Sequence, residues 1–202
     1  MTLYRLRSCA LAILLLAAPA AGQAAETPTA TVQRLNAALL ETMKNAEALG
    51  YRGRYEKLAP VLTETFDFPA MAKVVMGGHW TSIGTAHEEA FTAAFTEYSI
   101  GVFANRFDGY SGETFEVVGE QPARRGTVLV QNRIVKSDGE AVAINFLARQ
   151  DEDGNWRIVD TILGGAYSEL AARRSEYDGI VEKLGIDALI NALKDKTADF
   201  AD

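Results

Sequence analysis

WRIVDTILGGAYSELAARRSEY, residues 156–177, passes from a strand-like pattern through Gly164 and Gly165 directly into a helix-like one. A strand that turns through glycine into a helix is the setting of a hydrolase nucleophile, of a phosphate cradle, or of a plain corner between sheet and helix. The nucleophile turn requires Gly-x-Ser-x-Gly. Here Ser168 stands after Gly165, Ala166 and Tyr167 and is followed by Glu169 and Leu170, so the pattern fails. The phosphate cradle requires a further glycine and a lysine that are not present. The corner remains, with the glycines allowing the turn and Ser168 settling the helix by a cap or a buried hydrogen bond. Arg173 and Arg174 read as the solvated face of that helix. Asp160, inside the strand among apolar neighbours, must be buried and paired, and a structural anchor is favoured over a reactive site.

Upstream of residue 156 the text is strand, turn, strand. Residues 114–120, 127–136, 141–150 and 156–163 each alternate, and the turns SDGE and DEDGN carry the Asp-Gly signal of tight hairpins. This predicts an antiparallel meander. Upstream of the meander the period is helical. Val32, Leu35, Leu39, Met43, Ala46 and Leu49 form one stripe that Gly50 is expected to stop. Tyr55, Leu58 and Leu62 form a second. Asp67 and Pro69 restart a third, with Met71, Val74 and Val75, which Gly77 and Gly78 break. In a fourth, Thr85 and Glu88 read as a capping box ahead of Phe91, Phe95, Tyr98, Val102 and Arg106, with Phe103 beside the stripe. After the corner a helix over residues 167–184 precedes a shorter one that Asp187 is expected to cap. Helices, a meander, then helices predict an α+β fold with the helices on one side of a curled antiparallel sheet of about four strands.

The chain has 202 residues. Its first 24 read as a secretory signal peptide: Arg5 and Arg7, an apolar run too short to span a bilayer, then small residues up to Ala24. Residues 25–31 read as a linker and residues 32–202 as a single domain. The leader removes two arginines and no acid, so the mature chain is more acidic than the −7 of the whole. That balance argues against nucleic acid and against anionic membrane surfaces as partners. The single cysteine, Cys9, leaves with the leader, which excludes disulfides and thiolate metal sites from the mature protein. The expected compartment is the periplasm.

No catalytic constellation emerges. His79 and His87 are the only histidines, and the Gly84 break between them sets them on different faces, so no metal site is expected. The sequence offers apolar side chains on both faces of the meander instead. Val128, Val130 and Ile134 alternate against Leu129 and Val135, and Ile158 and Ile162 against Val159 and Leu163. One face of an antiparallel sheet normally meets water. Either helices or a second chain cover both faces, or one face lines a cavity.

FDFPAMAKVVMGGHW, residues 66–80, resembles the F-D-x-x-x-M-A-x-x-x-L-G-x-x-W stretch of the MlaC, or toluene-tolerance, family of periplasmic lipid-binding proteins. Phe91, Phe95, Tyr98, the region of Tyr110 and residues 156–177 follow in the family's order. In place of the W-x-V-x-D-x-x-x-E-G-V-S of typical phospholipid carriers, Gly164 replaces the acid and Ser168 comes later. SELAARRSEY followed by GIDALINAL is similar to the hopanoid-associated HpnM branch. The resemblance implies a cone, related to the nuclear-transport-factor-like fold, in which helices and the curled sheet enclose an apolar pocket. It implies a monomeric, non-enzymatic carrier with no cofactor. The ligand would be a hopanoid or a phospholipid, exchanged with membrane-bound transport components such as an ABC transporter. The residues placed in the pocket are Val75 and Trp80 at its entrance, Phe95 and Phe103 from the long helix, and Val128, Val130, Ile144, Phe146 and Ile158 from one sheet face. Two readings compete: an isomerase or dehydratase using Asp160, Tyr98 or His79 as acid or base, and an adaptor that binds only proteins.

Overall fold

The computed structural model describes residues 26–201, and the expected leader lies outside the described residues. Six helices and one open antiparallel sheet make an α+β fold, as the order of periods predicts. The strands are β1 (Thr114–Pro122), β2 (Val128–Val135), β3 (Ala141–Gln150), β4 (Trp156–Leu163) and the two-residue β5 (Tyr167–Ser168), neighbours in sequence order. β5 is the strand that periodicity missed, because two residues carry no period. The Asp-Gly hairpins form where expected. In the second of them the Asp151 carboxylate accepts from the backbone N–H of Asp153 and Asn155, at 3.0 and 2.8 Å, and Gly154 takes φ 83°.

The sheet departs from simple alternation at one place that matters. Leu147 pairs with Asp160 and Ala148 with Ile158, so Val159 is an extra residue in β4. Beyond this bulge the faces exchange. Thr161 lies opposite Phe146 and Leu163 opposite Ile144, on the same inner face as Ile158. The expected grouping of Ile158 with Ile162 is therefore corrected: Leu163 turns inward in its place.

α1 (Pro28–Lys44) crosses the inner face. The Thr31 hydroxyl donates to the Trp156 carbonyl at 3.2 Å and the Asn36 amide to Asn132 Oδ1 on β2 at 2.7 Å. Its buried stripe of Val32, Leu35 and Leu39 is the predicted one. Two boundaries differ from expectation. The last residues of the supposed linker, from Pro28, are already helix, capped by Thr27. A first break falls already at Asn45, and Gly50 (φ 59°, ψ −178°), the expected stop, leaves helical geometry and divides α2 (Ala46–Thr65) into two helical stretches. Arg54, buried on α2, donates to the carbonyls of Ala104 and Ala46 at 2.8 and 3.2 Å and so fastens two helix ends.

Asp67 caps α3 (Phe68–Met76) by accepting from the Ala70 N–H at 3.0 Å. A 3-10 turn, Gly77–Ser82, leads to α4 (Thr85–Arg106). Thr85 does not cap α4. Gly84, at φ 78°, occupies the cap position and makes Thr85 the first helical residue. Likewise Gly185, not Asp187, precedes α6 (Ile186–Ala198), after α5 (Glu169–Leu184). In both cases a glycine with positive φ reverses the chain one or two residues earlier than the polar side chain suggests.

The core lies between the helices and the inner face, where Val130, Phe146 and Ile158 meet Leu35, Leu39 and Leu62. On the outer face Leu129, Leu147 and Val159 are half-buried among exposed Gln131, Arg133 and Arg149. No helix among the described residues is long and apolar enough to cross a membrane.

Gly77 shows how closely α3 and α5 approach. Its φ is 51°, and a Cβ there would stand 2.6 Å from Arg174 Nη2. Gly77→Ala is expected to lower unfolding free energy by about 2 kcal/mol through backbone strain and the displaced guanidinium. Gly78→Ala, with open space around it, should change it by under about 0.5 kcal/mol. Urea denaturation of both variants checks the pair.

Candidate functional site

The inner face and α3–α5 do not close completely on one another. A pocket of about 90 Å³ remains between them. α4 supplies one wall through Phe95, Ser99, Val102, Phe103 and Arg106, which recur every three or four residues and therefore share a face. Ile144, Phe146, Thr161 and Leu163 form the floor as cross-strand neighbours. Aromatic rings run along the side in contact. Phe68 stacks on Phe66 at 5.4 Å, Phe66 meets Phe103 edge-on at 5.4 Å, Phe103 stacks on Phe107 at 5.8 Å, and Phe107 reaches Phe115 at 6.1 Å. Such a wall is smooth and weakly polar, suited to hydrocarbon rather than to a polar substrate. Three uncharged polar side chains, Ser99, Thr161 and Asn132, also line the pocket. Asn132, buried on β2, has its Oδ1 taken by Asn36, and its Nδ2 has no partner among the described residues.

Of the residues placed in the pocket from sequence, Phe95, Phe103, Ile144 and Phe146 line it. Val75, Val130 and Ile158 are fully buried core instead, packed against other side chains away from the void. Trp80 packs on the core from the 3-10 turn, and Val128 is half-buried near the start of β2; neither reaches the pocket wall. Sequence reasoning missed Phe66, Phe68, Met71, Phe107, Phe115 and Leu170. A signal existed for two of them, since Phe66 and Phe68 open the very stretch that carries the family resemblance. Phe107 continues the spacing from Phe103 but follows the last helical residue.

The polar end is organised by Asp160. Its Oδ1 accepts from the N–H groups of Thr161 and Leu170 at 2.8 and 3.1 Å, and its Oδ2 from the Ser168 hydroxyl at 2.6 Å. Ser168 Oγ in turn accepts from the Ala171 N–H at 2.9 Å and caps α5. Burial holds the Asp160 carboxyl above the ordinary carboxylate range, opposed by these hydrogen bonds. The stretch 156–177 is thus a corner, with Gly164 and Gly165 at φ 57° and 80° and one carboxylate tying strand to helix. The other residues considered for acid–base chemistry lie elsewhere. His79 Nε2 is 2.8 Å from Asp178 on the surface, where Glu182 completes a grouping with metal-like spacing that sequence did not reveal. Tyr98 stacks on Phe200 at 5.9 Å and borders the polar space between α4 and α5, outside the apolar pocket.

Outside Asp160 a vestibule of about 250 Å³ opens between α4 and α5, and shares Arg106, Glu169 and Arg173 with the pocket. Arg106 Nη1 donates to Glu169 Oε1 at 2.7 Å across the opening. On the far side, Met71, Asp160 and Leu170 separate the pocket from a groove of about 560 Å³ that Val74, Leu147, Val159 and three arginines, Arg124, Arg125 and Arg149, border. Each of the three separating residues lines both spaces, so the wall is one side chain thick.

The family model described as MlaC protein matches residues 33–195. The chain belongs to the MlaC family. Among solved structures, the phospholipid-binding protein from Ralstonia solanacearum, in complex with a phospholipid, aligns with a TM-score of 0.75 at 18% identity, over 89% of this chain and 100% of that one. At that identity the likeness is one of fold. In this MlaC chain that fold places the aromatic wall, the Asp160 corner and the charged vestibule around a single interior space.

Proposed function

We propose that this protein is a non-enzymatic lipid carrier of the periplasm, delivered there by the leader at residues 1–24. It takes a lipid from one membrane-bound component, shields its chains, and yields it to another such as an ABC transporter. The observation that carries the reading is an aromatic-walled pocket opening on a polar vestibule, in a fold shared with a protein solved with phospholipid bound. Physical chemistry asks for this arrangement. Leaving a sixteen-carbon chain in water costs on the order of 10 kcal/mol at ~0.8 kcal/mol per CH₂, so a carrier must enclose the chain. Exchange needs no acid or base, and Asp160 is already committed to three hydrogen bonds.

A pocket of about 90 Å³ is smaller than the ~300–1,000 Å³ that commonly enclose small ligands. Loading therefore requires the walls to part, and the thin Met71–Leu170 partition is the cheapest place, since an unbranched thioether repacks readily. Opening it joins the pocket to the neighbouring groove. The ligand is a phospholipid or, as the SELAARRSEY resemblance to the HpnM branch suggests, a hopanoid. Protein purified from its native host and extracted with organic solvent is expected to release about one lipid per chain by mass spectrometry. Repeated preparations free of lipid, with none taken up from added vesicles, would exclude a carrier.

A further inference from the structure

We propose that Arg173 is the specificity-determining contact for the head of the carried lipid, taking an anionic oxygen group by its guanidinium; the inference rests on the carrier reading above. Arg173 lies on α5 and lines both the apolar pocket and the polar vestibule, at the boundary where the head of an amphiphile sits when its tail is inside. The vestibule contains two acids and two arginines. Glu169 is bound by Arg106 at 2.7 Å and Glu176 by Lys196 at 2.9 Å. Arg173 alone of these charges has no oppositely charged partner within salt-bridge distance among the described residues.

The groups in direct contact with its guanidinium are aromatic and neutral, while the Glu169 carboxylate acts on it from beyond salt-bridge distance. The Tyr98 ring lies 5.0 Å from Cζ, and Nη1 makes one long contact, 3.4 Å, to the Tyr177 hydroxyl. Burial raises the Tyr177 phenol above its ordinary value, so it brings no negative charge at neutral pH. The chain's other deeply placed arginine is different. Arg54 spends its donors on two backbone carbonyls and fastens helix ends. Arg173 has only the long bond to Tyr177 among the described residues, and a half-buried guanidinium with most of its donors unused is unfavourable unless a further acceptor arrives. Its planar fork suits a phosphate or carboxylate held by two parallel hydrogen bonds. Stacking on Tyr98 holds the fork in place beforehand, and the neighbouring ion pairs keep the two acids from repelling the incoming anion.

The test compares two-chain lipids that differ only in the head, with a single-chain carboxylate beside them. Mature protein is mixed with dioleoyl phosphatidylglycerol, with dioleoylglycerol, which has the same chains and no phosphate, and with oleate, each at fixed concentration, and bound lipid is counted by native mass spectrometry. The phosphatidylglycerol or the oleate should bind at least tenfold more tightly than dioleoylglycerol, and the preferred one identifies the anion. Arg173→Met should bring the anionic lipid down to the dioleoylglycerol level while leaving dioleoylglycerol unchanged, and Arg173→Lys should restore part of the difference. Equal binding of dioleoylglycerol and both anionic lipids by the wild-type protein overturns the inference and leaves the carrier reading standing. So does a loss in Arg173→Met that is equal for every lipid. No binding of any lipid defeats both. The wild-type comparison stands without any variant, so a misfolded variant does not remove the test.

Discussion

Asp160→Ala lowers the free energy of unfolding by about 3–4 kcal/mol, because it leaves one hydroxyl and two backbone N–H groups near the corner without their acceptor, each worth about 1 kcal/mol or more to a charged partner. Asp160→Asn keeps one oxygen for the N–H groups of Thr161 and Leu170 and loses the bond from Ser168, so about 1–2 kcal/mol is expected. Guanidinium denaturation of the three proteins at one pH measures both differences. The pH dependence has a definite sign. Burial sets the folded-state carboxyl above its ordinary value of 3.8, so folding favours the protonated form. The stability this group contributes is therefore fully present below pH 3.8 and is lost as pH rises through the raised folded value. Asn does not titrate. The gap between wild type and Asp160→Asn should accordingly widen as pH is lowered from 7 toward 4; a gap that narrows over that range would mean that the hydrogen bonds, not burial, dominate the carboxylate.

The second large effect is on the ligand. Ile144→Trp should cut lipid retention at least tenfold while the protein stays folded. Ile144 stands on the pocket floor opposite Leu163, and an indole projecting from it occupies space that a chain needs. Excluding three methylenes at ~0.8 kcal/mol each already weakens binding about fiftyfold. The folding cost stays within the ~1–3 kcal/mol of ordinary overpacking, because the new ring enters an existing pocket of about 90 Å³. Val142→Trp, two residues earlier on the same strand but exposed and away from the pocket, is the control and should retain the full lipid load. Lipid-to-protein ratios after extraction, with circular dichroism to confirm folding, decide the matter. Full retention by Ile144→Trp would place the ligand elsewhere, in the groove beyond Met71 and Leu170.

Much of this architecture was legible in the sequence, and the legible parts share a cause. The helical stripes of Val32, Leu35 and Leu39 and of Phe91 and Phe95, the Asp-Gly hairpins and the double-glycine corner are all consequences of local backbone geometry. Neighbours in sequence are enough to specify them. The misplaced boundaries are local too, but they turn on which of two adjacent residues adopts the cap conformation, and at Gly84 and Gly185 the glycine takes it by accepting a positive φ.

The pocket was legible only in part. Phe103 and Ile144 line it while Val130 and Ile158 are solid core, yet all four are apolar residues of the same patterned elements. A hydrophobic period states that a side chain leaves water. It does not state whether another protein atom or a void receives it, because that depends on the spacing of elements far apart in the chain. The bulge at Val159 is the sharpest instance: one extra residue exchanges the faces of β4 and brings Leu163 to the pocket floor. The same holds for charge. Asp160 was recognisable as a buried group in need of partners, but Arg173 and Arg174 stand equal in the helical pattern, and only the packing of α5 sends the first to the vestibule and the second against Gly77. By itself, then, the sequence determined the elements and their order, since these follow from short-range sterics and apolar spacing, and it carried the family resemblance in the motif at residues 66–80. Tertiary structure alone decided where the interior stays open and which cation faces it without an ion-pair partner among the described residues, since both are relations between surfaces that meet only after folding.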